Sequence, residues 1–161
     1  MKWKIVVDSS CDLRELTFAH TEEIGFAVVS LKIIVGEREF VDEKGLDTVE
    51  MLEVMENHHG KTSSSAPNAG EWKEAFADGE NVFAITISGA LSGSAAGAHT
   101  ARHLLEQEGI NKNIKIIDSL STGPEMTLYV EKLVEYIEQG LSFEKVSAKI
   151  DKYAKNVRLL Y

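Results

Sequence analysis

The chain has 161 residues, of which 43% are hydrophobic and 27% are charged. This composition is that of a globular protein, and the length suits one domain with a single substantial core. The net charge is −9, from 26 acidic and 17 basic residues, and there is no run of Lys and Arg. Because nucleic-acid phosphates are bound by clustered basic side chains, the charge argues against such a partner. No apolar stretch approaches the ~20 residues of a membrane span.

Two further features concern the cellular compartment. The single cysteine, Cys11, excludes an intrachain disulfide and is typical of a reducing cytoplasm. The apolar run that ends at Val7 is closed by Asp8 too early for a signal peptide. We therefore expect a cytoplasmic protein.

Hydrophobic periodicity and turn residues predict alternating strands and helices. The first half is predicted to contain a buried strand at 3–7, a helix at 12–20, a strand region at 26–35, a hairpin arm at 39–41 and a helix at 47–57 with a capping-box pattern between Asp47 and Glu50. The second half is predicted to contain a hydroxyl-rich loop at 61–68, a short helix at 68–77, buried strands at 81–87 and 113–117, and helices at 95–108, 122–139 and 142–155.

This alternation predicts an α/β fold: a mostly parallel sheet with helices on both faces. Residues 1–155 are expected to form one α/β domain. Residues 156–161 read as the start of an apolar strand, and we expect them to begin a second domain.

Hydroxyl and acidic side chains follow three of the predicted strands, in Asp8-Ser9-Ser10, in Ser88 through Ser94, and in Asp118-Ser119. Ligands of open parallel sheets bind outside the carboxyl ends of the strands, so these clusters are expected at one edge, with 62–65 as a fourth candidate. Taken singly, each cluster is explained by capping and turn formation, and their coincidence favours a site. A helix that begins near Ser92 would direct free N–H groups there, which suits a carboxylate or phosphate.

The usual signals of an enzyme are missing. His99 and His103 lie four residues apart, but no Glu follows the first one, and two ligands are too few for zinc. Cys11 is expected to be a buried structural thiol or a surface thiol without a role, because no partner histidine is in view. There is neither a Gly-x-Ser-x-Gly elbow nor a glycine-rich phosphate loop ending in Lys-Ser/Thr. No catalytic residue, metal or cofactor is predicted.

Five segments occur in order between Lys4 and Gly123: Lys4-Ile5-Val6-Val7-Asp8-Ser9-Ser10-Cys11-Asp12-Leu13, Val28-Val29-Ser30-Leu31 with Phe40-Val41-Asp42, Ser64-Ser65-Ala66-Pro67, Ile87-Ser88-Gly89-Ala90-Leu91-Ser92-Gly93-Ser94 and Ile116-Ile117-Asp118-Ser119. Together they resemble the motifs of the DegV family. The sequence departs from the family pattern at five positions, where Cys11 replaces Ala, Ser64 replaces Thr, Ala66 replaces Gln, Gly89 replaces Ser and Ser94 replaces Thr.

The resemblance implies a bacterial cytoplasmic protein with the Rossmann-like, three-layer DegV N-terminal domain. Such a protein binds one long-chain fatty acid, with the tail in an apolar tunnel, and is not itself an enzyme. Some family members present the acid to a fatty acid kinase catalytic subunit. The resemblance assigns the carboxylate to Ser64, Ser92 and the Gly93 N–H. The other residues expected at the ligand-binding edge are Ser9, Ser10, Ser65, Ser88, Asp118 and Ser119. In the family the ligand lies between two domains, so a missing second domain would weaken binding.

Two alternatives stay open. A phosphotransfer-type enzyme of related fold would need a reactive histidine or a nucleotide-binding loop. An interaction domain that has lost the lipid site would have apolar residues packed shut behind Ser92.

Overall fold

A computed structural model describes residues 2–157 of the chain. Its elements are β1 (Trp3–Asp8), β2 (Ile24–Val29), β3 (Lys32–Val35), β4 (Arg38–Val41), α1 (Thr48–Asn57), β5 (Thr62–Ser65), α2 (Ala69–Ala75), β6 (Asn81–Thr86), α3 (Ser94–Gln107), β7 (Asn113–Asp118), α4 (Pro124–Glu138) and α5 (Phe143–Ala154). Four strands form a parallel sheet in the order β2-β1-β6-β7. The other three form a separate antiparallel sheet in the order β4-β3-β5.

The parallel sheet is covered on both faces, because successive side chains of a strand point to opposite sides. In β6, Val82 and Ala84 pack in one apolar cluster with residues of α2 and α3. Phe83 and Ile85 belong to a second cluster with residues of α4 and α5. The predicted α/β fold with helices on both faces is confirmed.

Local chemistry sets the ends of several helices. Asn68 caps α2 in a reciprocal capping box: its Oδ1 accepts from the N–H of Gly70 (2.8 Å) and of Glu71 (3.1 Å), while Glu71 accepts from the Asn68 N–H (2.7 Å). Gly140 ends α4 with a φ of +71°, which glycine adopts without a steric penalty. The Ser142 side chain caps α5. The end at Gly140 and the cap at Ser142 agree with the sequence prediction.

The helix predicted at 12–20 is wrong. This segment consists of bends and irregular backbone. Leu13, Leu16 and Phe18 do pack against the core, as expected, but tertiary contacts hold the backbone in another shape. The Arg14 guanidinium donates to the Cys11 carbonyl (2.5 Å) and to the Ser9 carbonyl (3.2 Å). A segment of nine residues is only marginally stable as an isolated helix, so these tertiary contacts determine its conformation.

The strand region predicted at 26–35 is two strands in different sheets. β2 runs parallel to β1, and after a short break β3 begins the antiparallel sheet. The predicted hairpin arm is confirmed as β4. The segment 61–68, predicted as a loop, contains β5, which pairs with β3 from Lys32–Ser65 to Val35–Thr62. Because serine is typical of turns, the serine-rich composition of this segment led to the prediction of a loop instead of a strand.

Helix α1 lies at the periphery and has no buried residue. The Asp47 side chain caps it by accepting from the Glu50 N–H (2.9 Å). Only half of the predicted capping box forms, because the Glu50 carboxylate pairs with Arg38 (2.7 Å). The strand predicted at 156–161 lies largely outside the described residues; Val157 packs against the core, and the Asn156 N–H extends the end of α5.

The sheet core depends on Phe83, which is fully buried between Trp3 and Phe143 at centroid distances of 6.2 and 4.9 Å. We expect Phe83→Ala to lower the free energy of unfolding by about 3–5 kcal/mol, because it removes both ring contacts and leaves a cavity. Urea unfolding measures this free energy. The control Val49→Ala, at a side chain that is 65% exposed, should change the free energy of unfolding by less than about 0.5 kcal/mol. Equal effects of the two substitutions would contradict this core.

Candidate functional site at the carboxyl edge of the parallel sheet

Three parallel strands end side by side at one edge of the sheet. β1 ends at Asp8, β6 at Thr86 and β7 at Asp118. Their following loops therefore emerge at the same edge, together with the beginning of α3. The structure thus brings together the three polar clusters that follow these strands.

The buried carboxylate of Asp8 connects these loops. Its Oδ2 accepts from the Ile87 N–H (2.8 Å), just after β6, and from the Ser94 hydroxyl (2.6 Å), in the first turn of α3. Its Oδ1 accepts from the backbone N–H of Ser10 (3.3 Å) and from the Ser10 hydroxyl. The Asp8 side chain is fully buried, so these donors replace water around its charge. One carboxylate therefore joins β1, the loop after β6, and α3.

Asp118 holds the neighbouring loops together from the surface. Its carboxylate accepts from the Gly89 N–H (3.1 Å to Oδ2) and from the Leu120 N–H (2.9 Å to Oδ1). A Cβ at position 89 would lie 2.8 Å from that carboxylate oxygen, so a residue without a side chain fits there. Leu120 has a φ of +55°, an uncommon value for leucine.

Three predicted site serines are buried and bonded within the loops. The Ser9 hydroxyl accepts from the Leu31 N–H (2.9 Å), and the Ser88 hydroxyl accepts from the Ala90 N–H (3.3 Å). The Ser119 hydroxyl bonds with both backbone groups of Ser121 (3.1 Å each). These contacts place Ser9, Ser88 and Ser119 behind the exposed edge.

The N-terminus of α3 has free donors at that edge. Its cap residue, Gly93, has no side chain that could accept hydrogen bonds from the first turn. Among residues 2–157, no acceptor contacts the N–H groups of Gly93, Ala95 or Ala96. The half-buried Ser92 accepts through Oγ from the Ser94 N–H (3.3 Å), which leaves its own hydroxyl hydrogen available. The helix dipole adds partial positive charge at the same place.

The serine-rich strand β5 approaches the beginning of α3. A Cβ built on Gly93 would lie 3.8 Å from the Cβ of Ala66, the residue after β5. Ser64 is exposed, and its hydroxyl has no partner within the described range, while the Ser65 hydroxyl donates to the Ala66 carbonyl (3.3 Å). Ser64 and Ser65 are thus carried toward the same edge as Ser92.

The other reactive side chains are not among these donors, although Cys11 lies in the loop that follows β1 and its N–H donates to the Asp8 carbonyl (3.1 Å). Burial raises the pKa of the Cys11 thiol, which lies 3.9 Å from the Thr127 hydroxyl. His99 and His103 are exposed on α3. No group of three or more His, Cys, Asp or Glu within residues 2–157 is placed to hold a metal ion. An open cleft of about 760 Å³, lined by Gly79 and Lys112 among others, lies at the amino-terminal edge of the sheet, where β6 and β7 begin.

Two residues at this edge are not among the predicted ligand-binding residues, although one of them, Ser94, ends a predicted polar cluster. The Ser94 hydroxyl bonds to Asp8, a role that appears only once β1 and α3 are placed together. The buried Thr86 hydroxyl has no hydrogen-bond partner in the described part of the chain. Its position at a strand end next to a serine cluster was the available signal.

Comparison with known proteins gives one consistent family. The family model described as an uncharacterised protein of the DegV family matches residues 2–161. A DegV domain-containing protein of Streptococcus pyogenes serotype M1 is 42% identical over 161 residues, which are 100% of this chain and 57% of that protein. The chain therefore spans little more than half the length of this relative.

Two solved structures show the same fold with a bound ligand. The Streptococcus pneumoniae fatty acid kinase B3 protein, loaded with linoleic acid, has a TM-score of 0.90 and 39% identity, and the match covers 96% of this chain and 55% of that one. A DegV family protein from Eubacterium eligens, loaded with heptadecanoic acid, has a TM-score of 0.85 and 36% identity, and the match covers 95% of this chain and 54% of that one.

In the chain itself, no helix within residues 2–157 has both the length and the apolar character needed to cross a bilayer.

The Asp8 connection can be tested at its contact with α3. We expect Ser94→Ala to lower the free energy of unfolding by about 1.5–3 kcal/mol, because it removes a hydrogen bond to a buried charge. The control Ser142→Ala removes a longer capping contact to the Lys145 N–H (3.5 Å), at an exposed residue, and should cost less, about 0.5–1 kcal/mol. Urea unfolding measures both. A Ser94→Ala protein as stable as the parent would contradict the role of Asp8.

Proposed function

The chain belongs to the DegV family, and from this we propose that it binds a long-chain fatty acid, whose carboxylate is held at the N-terminus of α3 by Ser92, the Gly93 N–H and Ser64. The observation that carries the proposal is the beginning of α3, where the N–H groups of Gly93, Ala95 and Ala96 have no acceptor within residues 2–157 and lie beside the Ser92 hydroxyl. The fatty acids bound to the two similar structures support the ligand class.

The donors at this edge suit a carboxylate. Hydrogen bonds from neutral N–H and O–H groups to an ionised acceptor are shorter and stronger than those between neutral groups. The nearby negative charges of Asp8 and Asp118 are already bonded to backbone N–H groups, so those charges are partly balanced within the protein. The acyl carboxylate would be the acceptor that the free N–H groups of α3 otherwise lack.

The same edge also presents apolar side chains to the start of an acyl chain. Leu91 is 72% exposed and Leu120 is 77% exposed, on two loops joined by the bond between Gly89 and Asp118. We propose that the first methylene groups of the fatty acid lie against these leucines. Burial of each methylene contributes about 0.8 kcal/mol.

We further propose a binding role without catalysis, in the cytoplasm, with the bound acid presented to a fatty acid kinase catalytic subunit. The similarity to a fatty acid kinase B3 protein supports the kinase partner. No hydrogen bond of Ser9, Ser10, Ser88, Ser92 or Ser119 within residues 2–157 involves a histidine. The alternative, a phosphotransfer enzyme of related fold, would need a reactive histidine or a nucleotide-binding loop.

Native mass spectrometry followed by lipid extraction tests the proposal. We expect one fatty acid per chain, and a roughly 10-fold or greater loss of affinity in Ser92→Ala and Ser64→Ala, since each removes a charge-assisted hydrogen bond worth about 1.5–3 kcal/mol. Ser63→Ala is the matched control, because neighbouring residues of β5 point to opposite sides of the strand.

The same measurement should be repeated on a chimera in which the rest of the Streptococcus pyogenes relative follows residue 161. Fatty acid bound by the chain, or by the chimera alone, supports the proposal if Ser63→Ala retains it. Absence of fatty acid from both proteins, or equal losses in Ser63→Ala and Ser64→Ala, would refute it.

A further inference from the structure

The contact between α3 and the segment after β5 depends on a glycine in the first half of α3. A Cβ at Gly97 would lie 2.7 Å from the Pro67 carbonyl oxygen and 3.2 Å from Cδ1 of the Trp72 ring. Ordinary contacts of a Cβ begin at 3.4 Å, so a methyl group here would displace the backbone of Pro67. The Trp72 ring has no room to yield, because it is fully buried against Phe76.

The displaced segment is the one that connects β5 to α2. Ala66, one residue before Pro67, approaches the beginning of α3 at Gly93. On the other side, Asn68 caps α2, and Glu71 of that helix pairs with Lys32 of β3 (2.8 Å). The antiparallel sheet and α2 are thus held together and meet α3 along the line from Gly93 to Gly97.

We propose that Gly97 is a positioning residue for the carboxylate site: its missing side chain lets Ala66 and Pro67 lie against α3 and so sets the distance from Ser64 to Ser92. The inference rests on the proposed function. Donors on β5 and donors at the N-terminus of α3 must face one carboxylate, and N–H···O hydrogen bonds form at donor–acceptor distances of about 2.7–3.2 Å. A shift of under 1 Å at Pro67 therefore weakens the bond from Ser64.

Local helix stability gives no reason for glycine at this position. Glycine is among the poorest helix formers and alanine is the best, so alanine would be favoured in the body of α3 if helix formation alone decided. Gly97→Ala has two opposing effects on the free energy of unfolding: it favours the helical backbone of α3, and it strains the contact with Pro67. We therefore expect Gly97→Ala to reduce the free energy of ligand binding by more than it changes the free energy of unfolding.

The test compares Gly97→Ala with Thr100→Ser, which removes one methyl group from an exposed residue in the next turn of α3. In ¹⁵N-labelled protein, Gly97→Ala should shift the amide resonances of residues 64–66 and the indole N–H of Trp72, and Thr100→Ser should not. Linoleate affinity should fall about 10-fold in Gly97→Ala, as for one weakened charge-assisted hydrogen bond, and less than about two-fold in the control. Ala66→Val is a second variant that pushes the same segment away without changing α3.

The outcomes separate the two proposals. Shifted resonances with unchanged linoleate affinity would overturn the positioning role and leave the proposed function intact. Failure of the unsubstituted chain and of the chimera to bind linoleate would overturn the proposed function, and the positioning role with it. If Gly97→Ala and Ala66→Val both fail to fold, as judged by the dispersion of their spectra, the contact serves folding and the positioning role is rejected.

Discussion

The carboxylate of Asp8 is the constraint on which the functional edge depends. No Lys, Arg or His within residues 2–157 forms an ion pair with it, and it is stabilised by donors from its own loop, from the residue after β6 and from the first turn of α3. A buried charge left without partners costs several kcal/mol, so these loops cannot separate without a large penalty. The beginning of α3 is therefore fixed relative to the ends of β1 and β6, and its free N–H groups stay at one place on the edge.

Small residues turn that fixed helix end into an accessible site. Gly89 allows Asp118 to approach the loop, Gly93 has no side chain to accept hydrogen bonds from the first turn of α3, and Gly97 allows Pro67 to lie against the helix. A missing side chain thus lets a carboxylate approach at Gly89 and a backbone carbonyl approach at Gly97, and at Gly93 it leaves room for the proposed ligand. The acidic net charge of −9 does not oppose anion binding strongly at this point, because the helix dipole and the aligned N–H groups act at short range.

Much of this arrangement could be predicted from sequence, since the buried strands β1, β6 and β7 have clear apolar runs and end in polar clusters. The rule that ligands bind at the carboxyl edge then places those clusters together. What could not be predicted depends on tertiary contacts. Residues 12–20 have helix-compatible spacing but are held by Arg14, and β5 is a strand because β3 pairs with it, despite its serines. The roles of Ser94 and Gly97 need the positions of Asp8 and Pro67, which no local pattern supplies.

The most direct test of the account is an NMR titration of the ¹⁵N-labelled chain with [1-¹³C]linoleate, which detects even millimolar affinity. The account predicts saturable shifts at the amides of Gly93, Ala95 and Ala96. It also predicts that the bound carboxylate, followed through its ¹³C resonance, stays ionised to lower pH than that of free linoleate, since N–H donors favour the charged form. Binding that instead shifts the amides around Gly79 and Lys112, at the opposite edge of the sheet, would contradict the account.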